Sequence, residues 1–182
     1  MRILGIDPGS RATGFGVVDR FEGGLQHVCH GTLRPPQRAT LSARLSFLYN
    51  GLRDITGKNA PDAAVVEQVF VASSVRSALV LGHARGMVLA ALGAAGLPVI
   101  EISARQVKKA VVGTGAATKA QVQSMVARLL GLDRAPSSDA ADALAAAIAV
   151  AHAGRLASLG PALRSRRSRS YRSARLAARR SP

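Results

Sequence analysis

Cysteine occurs once in these 182 residues, tryptophan is absent, and aromatic residues make up only 3%. A lone thiol, Cys29, can close neither an internal disulfide nor a thiolate zinc site, which excludes a disulfide-stapled fold and predicts a reducing compartment. Long apolar runs are missing too. The longest, Met87 to Ile100, spans 14 residues and is interrupted by Gly93, Gly96 and Pro98. That is short of the roughly 18 apolar residues that suggest a membrane span. The opening Met-Arg-Ile-Leu-Gly-Ile reaches Asp7 too early for a secretory leader. The expectation is a cytoplasmic protein with no membrane contact.

Acids are the other scarcity: 10 Asp and Glu stand against 25 Lys and Arg, a formal net charge of +15. Solubility alone asks far less of a small domain, so a polyanionic partner is expected, with nucleic acid first. Nine of the arginines fall in residues 154–182, which contain no lysine and no acid. The remaining 16 basic residues share residues 1–153 with all 10 acids, leaving +6 there and +9 in the tail. The sequence thus reads as a folded domain over 1–153 and a Ser/Arg/Ala-rich tail over 154–182, expected to be flexible until bound. With 48% hydrophobic residues, mostly Ala, Val and Leu, the domain can bury a core.

Strand and helix signals alternate along that domain. Ile3 to Ile6, Thr13 to Val18, and Leu25 to Leu33 read as three strands separated by Pro8-Gly9 and Glu22-Gly23-Gly24. Leu41, Leu45, Leu48, Leu52 and Ile55 recur every three or four residues, as on one side of a helix opening near Thr40. Ala63 to Glu67 has the unbroken apolar character of a buried parallel strand. A helix rich in small residues from Ser74 to Ala95 precedes a short strand from Pro98 to Ile102. Ser103, Thr118 and Ser137 or Ser138 then open three more helices, with Val122, Met125, Val126, Leu129 and Leu130 on the apolar side of the second. The pattern predicts an α/β fold, a mixed five-stranded sheet flanked by helices.

The few acids are placed conspicuously. Asp7 and Glu67 each close an apolar strand, where ligand crevices form in open α/β sheets and an unpaired carboxylate is costly. Asp139 and Asp142 stand three apart at a helix start, on one face, and the second lies inside the apolar stretch Ala140 to Ala145. Four carboxylates with no Cys or His cluster suit Mg²⁺ or Mn²⁺ rather than zinc. Two such ions close together clamp the attacking and leaving oxygens of a phosphodiester displacement. The four histidines, His27, His30, His83 and His152, fit no metal spacing. Lys108 and Lys119 flank helix starts near a glycine loop that lacks the Walker pattern. Phe70, beyond the strand that Glu67 closes, could stack on an unpaired base. Two other readings compete. The Asp7 to Val18 segment also resembles the phosphate loop of actin/hexokinase-type ATPases, but 182 residues leave no room for their second half. A non-catalytic DNA-architectural protein explains the charge and not the acids.

Ile6-Asp7-Pro8-Gly9-Ser10-Arg11, Thr13 to Val17, Glu67-Gln68-Val69-Phe70, Ala104 to Lys108, Val111-Val112-Gly113, Lys119 and Asp139 to Ala145 occur in an order that resembles the RuvC family of bacterial Holliday junction resolvases. The resemblance runs from about Met1 to Ala153. It implies an RNase H-like fold, a homodimer, a four-way DNA junction as substrate, and paired symmetric nicks that leave 5′-phosphate and 3′-hydroxyl ends in recombination and repair. It further implies two Mg²⁺ per site, with Mn²⁺ able to substitute, held by Asp7, Glu67, Asp139 and Asp142 as metal-binding catalytic residues. Phe70, Arg76, Lys108 and Lys119 are the implied DNA contacts, and a branch-migration motor is the implied protein partner. The chain departs from the family pattern at Ser74, where many relatives carry Asn, and in its longer basic tail. Another RNase H-like nuclease remains the nearest alternative.

Overall fold

A computed structural model describes residues 1–68 and 74–152. Phe70 and the arginine-rich tail lie outside the described residues. Five strands, β1 (Arg2–Asp7), β2 (Thr13–Phe21), β3 (Gly24–Leu33), β4 (Ala63–Gln68) and β5 (Val99–Ser103), form one sheet in the order β3-β2-β1-β4-β5. β1, β2 and β3 pair antiparallel, whereas β1–β4 and β4–β5 are parallel. This is the expected mixed sheet. β2 runs three residues beyond the apolar stretch that marks it in the sequence. Its polar end is held by Asp19, which lies opposite Arg2 and accepts from the guanidinium Nε and Nη2 at 3.0 and 2.7 Å.

The helices are α1 (Leu41–Asn59), α2 (Val75–Ala94), α3 (Ala104–Val112), α4 (Lys119–Leu130) and α5 (Ser138–His152). Thr40, Ser74, Ser103 and Thr118 each accept a backbone N–H three residues on, satisfying donors that a helix start leaves unpaired. Ser103 and Thr118 form reciprocal capping boxes with Gln106 and Gln121. Thr118→Ala is expected to lower stability by about 1 kcal/mol in chemical denaturation, because the cap is removed and the core packing is untouched. On α4, Val122 and Val126 are buried as the apolar spacing requires, but Leu129 is 37% exposed, so the buried stripe is narrower than the sequence pattern.

The sheet separates two cores. On one face Leu4, Ile6, Val17, Ala64 and Val66 meet Leu52 and Ile55 of α1 and Val88, Ala91 and Leu92 of α2. On the other, Ile3, Val18 and Val65 meet α3, α4 and α5. Eleven of the 15 residues of α5 are buried, eight of them Ala, so the helix lies close against the sheet. Gly5 of β1 and Gly14 of β2 permit this. A Cβ at Gly5 would overlap the carbonyl oxygen of Ala143, and one at Gly14 that of Asp139. By length and composition α2 alone among the described helices could cross a bilayer. Its buried Val88, Ala91 and Leu92 instead pack on the sheet, and Arg85 pairs with Glu101 of β5.

Candidate active site

Strand periodicity aims the acids. Successive side chains of a strand point to opposite faces. Ile3 and Gly5 face α5, so Asp7 at the end of β1 does too. Val65 faces the same core, and so does Glu67 two residues later. β1 and β4 are parallel, with Ile6 opposite Val66, so the two carboxylates leave neighbouring strand ends side by side. The N-terminal half of α5 crosses this point and supplies Asp142, the one residue between Ala140 and Ala151 that is only partly buried. Asp7, Glu67 and Asp142 line a cavity of about 420 Å³ together with Pro8, Lys108 and Lys119.

The structure thus brings Asp7, Glu67, Asp142, Lys108 and Lys119, all singled out in the sequence, around one cavity. Asp139 stands at its margin on the same helix and does not line it. Its Oδ2 accepts from Arg34 Nη2 at 3.1 Å, an ion pair between the end of β3 and α5 that nothing local in the sequence announces. The available signal is indirect. Gly14 lies opposite Thr32, just before Arg34, and its open side faces the Asp139 carbonyl. Thr32 and Ser137 also meet through their hydroxyls at 3.1 Å. Arg76 falls outside this cavity, in an adjoining one.

The carboxylates crowd one another. Burial is the main cause that pushes Asp7 up to about 7, with Glu67, Asp142 and Asp139 adding repulsion and Lys119 partly opposing it. Glu67 is raised by burial and then by Asp142, against Lys119 and Lys108. Asp142 is raised by burial in spite of Lys119, whose Nζ is 3.5 Å from Oδ2. That separation is long, and Lys119 is 75% exposed, so its neutralising effect is modest. Among the described residues no N–H or O–H donates to the Asp7 or Glu67 carboxylates.

Such a cluster fits hard divalent cations. Its donors are all oxygen, its charge is poorly compensated, and no sulfur or imidazole approaches. Among the described residues, no three His, Cys, Asp or Glu side chains already stand close enough to hold an ion. Two of the four acids are engaged by cations instead, Asp139 by Arg34 and Asp142 by Lys119.

Residues 3–152 match the family model of crossover junction endodeoxyribonuclease RuvC. This chain belongs to the RuvC family. Curated RuvC proteins of Burkholderia vietnamiensis and Burkholderia cenocepacia are 51% and 52% identical over 167 residues, covering 90% of this chain and 92% of theirs. A solved structure of Thermus thermophilus RuvC in complex with Holliday junction substrate superposes with a TM-score of 0.80 at 33% identity, over 86% of this chain and 96% of that one. The yeast mitochondrial Holliday junction resolvase Ydc2 shares the fold, with a TM-score of 0.61 at 15% identity, over 82% of this chain and 77% of its own. The expected RNase H-like architecture thus holds, and as a RuvC protein the chain is an endodeoxyribonuclease. In RuvC terms, the Asp7–Glu67–Asp142 cavity is its candidate nuclease centre.

Proposed function

We propose that this chain resolves four-way DNA junctions by cutting two strands symmetrically, with Asp7, Glu67, Asp139 and Asp142 as its metal-binding catalytic carboxylates. The observation that carries this reading is the convergence of Asp7 and Glu67 from adjacent parallel strand ends onto α5, where Asp142 lies. The match to a RuvC protein solved with a junction supports the choice of substrate. Two Mg²⁺, or Mn²⁺ in their place, would supply Lewis-acid stabilisation of the oxygens exchanged at the scissile phosphorus when bound there. Asp7, which feels the charge of Glu67, Asp142 and Asp139, would hold metal together with them.

The protein's own groups do the remaining work. Lys108 and Lys119, which line the same cavity, bring positive charge to the scissile phosphate and its developing negative charge. Until ions arrive, Lys119 and Arg34 hold Asp142 and Asp139 and limit their repulsion of Asp7. Water attacks the scissile phosphorus and forms a new P–O bond as the P–O3′ bond breaks. The water's proton passes to solvent and the departing 3′ oxygen takes one up, leaving a 5′-phosphate and a 3′-hydroxyl, ends that a ligase can rejoin. Phe70 and Arg76 complete the DNA contacts in this reading, Phe70 by stacking on an unpaired base.

Paired cuts ask for paired sites, and an isologous homodimer provides them with the near two-fold symmetry of a junction. α2 is the surface for that pairing, since its first turns expose Val75 (79%) and Leu79 (61%). Residues 1–153 form the nuclease domain, and the nine arginines of 154–182 add sequence-independent phosphate affinity. A branch-migration motor is the protein partner, and the cytoplasm the compartment.

The test is incubation with an immobile four-way junction and its matching duplex, with Mg²⁺, with Mn²⁺ and with chelator. Paired nicks in the junction only, absent in chelator, are expected. Cutting of flaps or RNA–DNA hybrids in preference to the junction would replace this reading with another RNase H-like nuclease. Binding with no cutting in either metal would replace it with a junction-binding protein.

A further inference from the structure

Beside the carboxylate cavity lies a second, of about 640 Å³, lined by Ser10, Arg11, Arg44, Arg76, Ser77, Val80 and Leu81. Leu81 lines both, so the two are contiguous along one surface. The chemistry of the second is the inverse of the first. Three guanidinium-bearing side chains approach it from three separate elements: Arg11 from the loop after β1, Arg44 from α1 and Arg76 from the first turn of α2. No carboxylate among the described residues lines it. Among the described residues none of the three guanidinium groups has an ion pair or hydrogen-bond partner, a state they share with most arginines of the domain; what sets them apart is their convergence on one cavity.

Arg44 is the sharpest case. Its Nε is buried without a hydrogen-bond partner, the only such side-chain nitrogen or oxygen among the described residues. A buried donor left unpaired costs free energy, and buried charges are ordinarily paired. Like charges gathered from three elements add repulsion to that cost. Both are relieved by an anion, and the planar fork of arginine matches phosphate oxygens. Among the described residues the cavity's lining offers polar and aliphatic side chains, with no aromatic ring. It does adjoin the candidate nuclease centre through Leu81, which suits a strand passing from one to the other.

We propose that Arg11, Arg44 and Arg76 form a phosphate-binding cavity that holds the sugar–phosphate backbone of the strand being cut, beside the scissile phosphate. It rests on the junction-nuclease reading and deepens it. The family resemblance implies a DNA contact at Arg76 but none at Arg11 or Arg44, and the role is backbone positioning without base readout. The hydroxyls of Ser10 and Ser77 are available as additional donors to the same phosphate oxygens.

The test measures binding of a labelled four-way junction in chelator across a salt series, for wild type, for Arg44→Met and for the double variant Arg11→Met/Arg76→Met. The double variant alters two exposed residues and tests the cavity even where Arg44→Met does not fold, which thermal melts monitor. Affinity is expected to fall about tenfold or more, and the slope of log affinity against log salt to become shallower by roughly one for each phosphate no longer neutralised. Junctions carrying one methylphosphonate at successive positions near the cut supply the second arm. One neutralised phosphate should weaken the wild type and have no further effect on the arginine variants. An unchanged salt slope, or methylphosphonate effects that persist in full in the variants, would overturn the cavity while junction cleavage by wild type left the nuclease reading standing. Variants that lose dimerisation yet keep the slope would overturn it in favour of an interface between copies. A wild type that neither binds nor cuts junctions would remove both readings together.

Discussion

Asp7→Asn is expected to reduce junction cleavage by at least roughly a thousandfold, to leave junction binding in chelator within about twofold, and to make the metal-free protein more stable above pH 7. The first effect follows if Asp7 is a metal ligand, because metal ions would contribute several kcal/mol to stabilising transition-state charge. The second follows because binding draws on lysines and arginines, which the substitution does not touch. The third is the diagnostic one. Burial and three neighbouring acids push Asp7 up to about 7, so its ionised form is disfavoured in the folded chain relative to the unfolded one. The sign is fixed by that direction. A raised acid in the folded state contributes stability that is fully present below about pH 4 and is lost as pH rises through about 7.

Wild type in chelator should therefore lose stability between about pH 4 and 7, and Asp7→Asn should flatten that part of the profile. A shift of about three pH units corresponds to an upper bound of about 4 kcal/mol, and imperfect hydrogen bonding of the new amide brings the expected gain nearer 1–3 kcal/mol. Added Mg²⁺ should restore stability to wild type at pH 8 and much less to the variant, since an ion that binds only the folded state stabilises it. Denaturant melts across pH, with and without metal, read all three. Cleavage near the wild-type rate, or equal loss of cutting and binding, would remove Asp7 from the catalytic set. A residue that destabilises its own fold and is compensated by a ligand is the signature of a site kept for function.

Much of this site is legible in the sequence because its signals are local. An acid that ends an apolar strand marks Asp7 and Glu67 whatever the topology, and a polar residue within an alanine-rich run marks Asp142. Helix starts at Ser103 and Thr118 are equally local, since each cap and its glutamine are three residues apart. What the sequence does not reveal depends on register across the sheet and on distant pairs. Arg34 and Asp139 are 105 residues apart, and their ion pair exists only because β3 ends beside the start of α5. Arg11, Arg44 and Arg76 each read as ordinary charged positions in a basic chain. Only the packing of α1 and α2 against one sheet face, beside the β1 loop, brings them to one cavity. Leu129 illustrates the opposite error, a hydrophobic residue in helical register whose facing neighbour never arrives.

Gly14→Ala should cost cleavage more than it costs folding, which would be unusual for a glycine with no polar chemistry of its own. Gly14 pairs with Asp7 across β1 and β2, and its α5-facing side meets the backbone of Asp139 and Ala140. A methyl group there overlaps the Asp139 carbonyl, an atom of helix backbone that cannot swing aside as a flexible side chain could. The first turn of α5 must then move away by roughly 1 Å, carrying Asp139 and, three residues on, Asp142 with it. Catalytic groups displaced by about 1 Å typically lose roughly a hundredfold in rate. The packing penalty for one added methyl is only about 1–3 kcal/mol. Single-turnover cleavage should fall by that hundredfold with junction binding in chelator retained. Higher Mg²⁺ should recover part of it, because the ligands are displaced rather than removed. Gly57→Ala is the control: nothing lies within 4 Å of its added carbon, and it sits within α1. It should stabilise by about 0.5–1 kcal/mol and leave cleavage unchanged. Wild-type cleavage by Gly14→Ala at every Mg²⁺ concentration, with only stability reduced, would mean that the α5 carboxylates do not need the close approach that Gly14 permits.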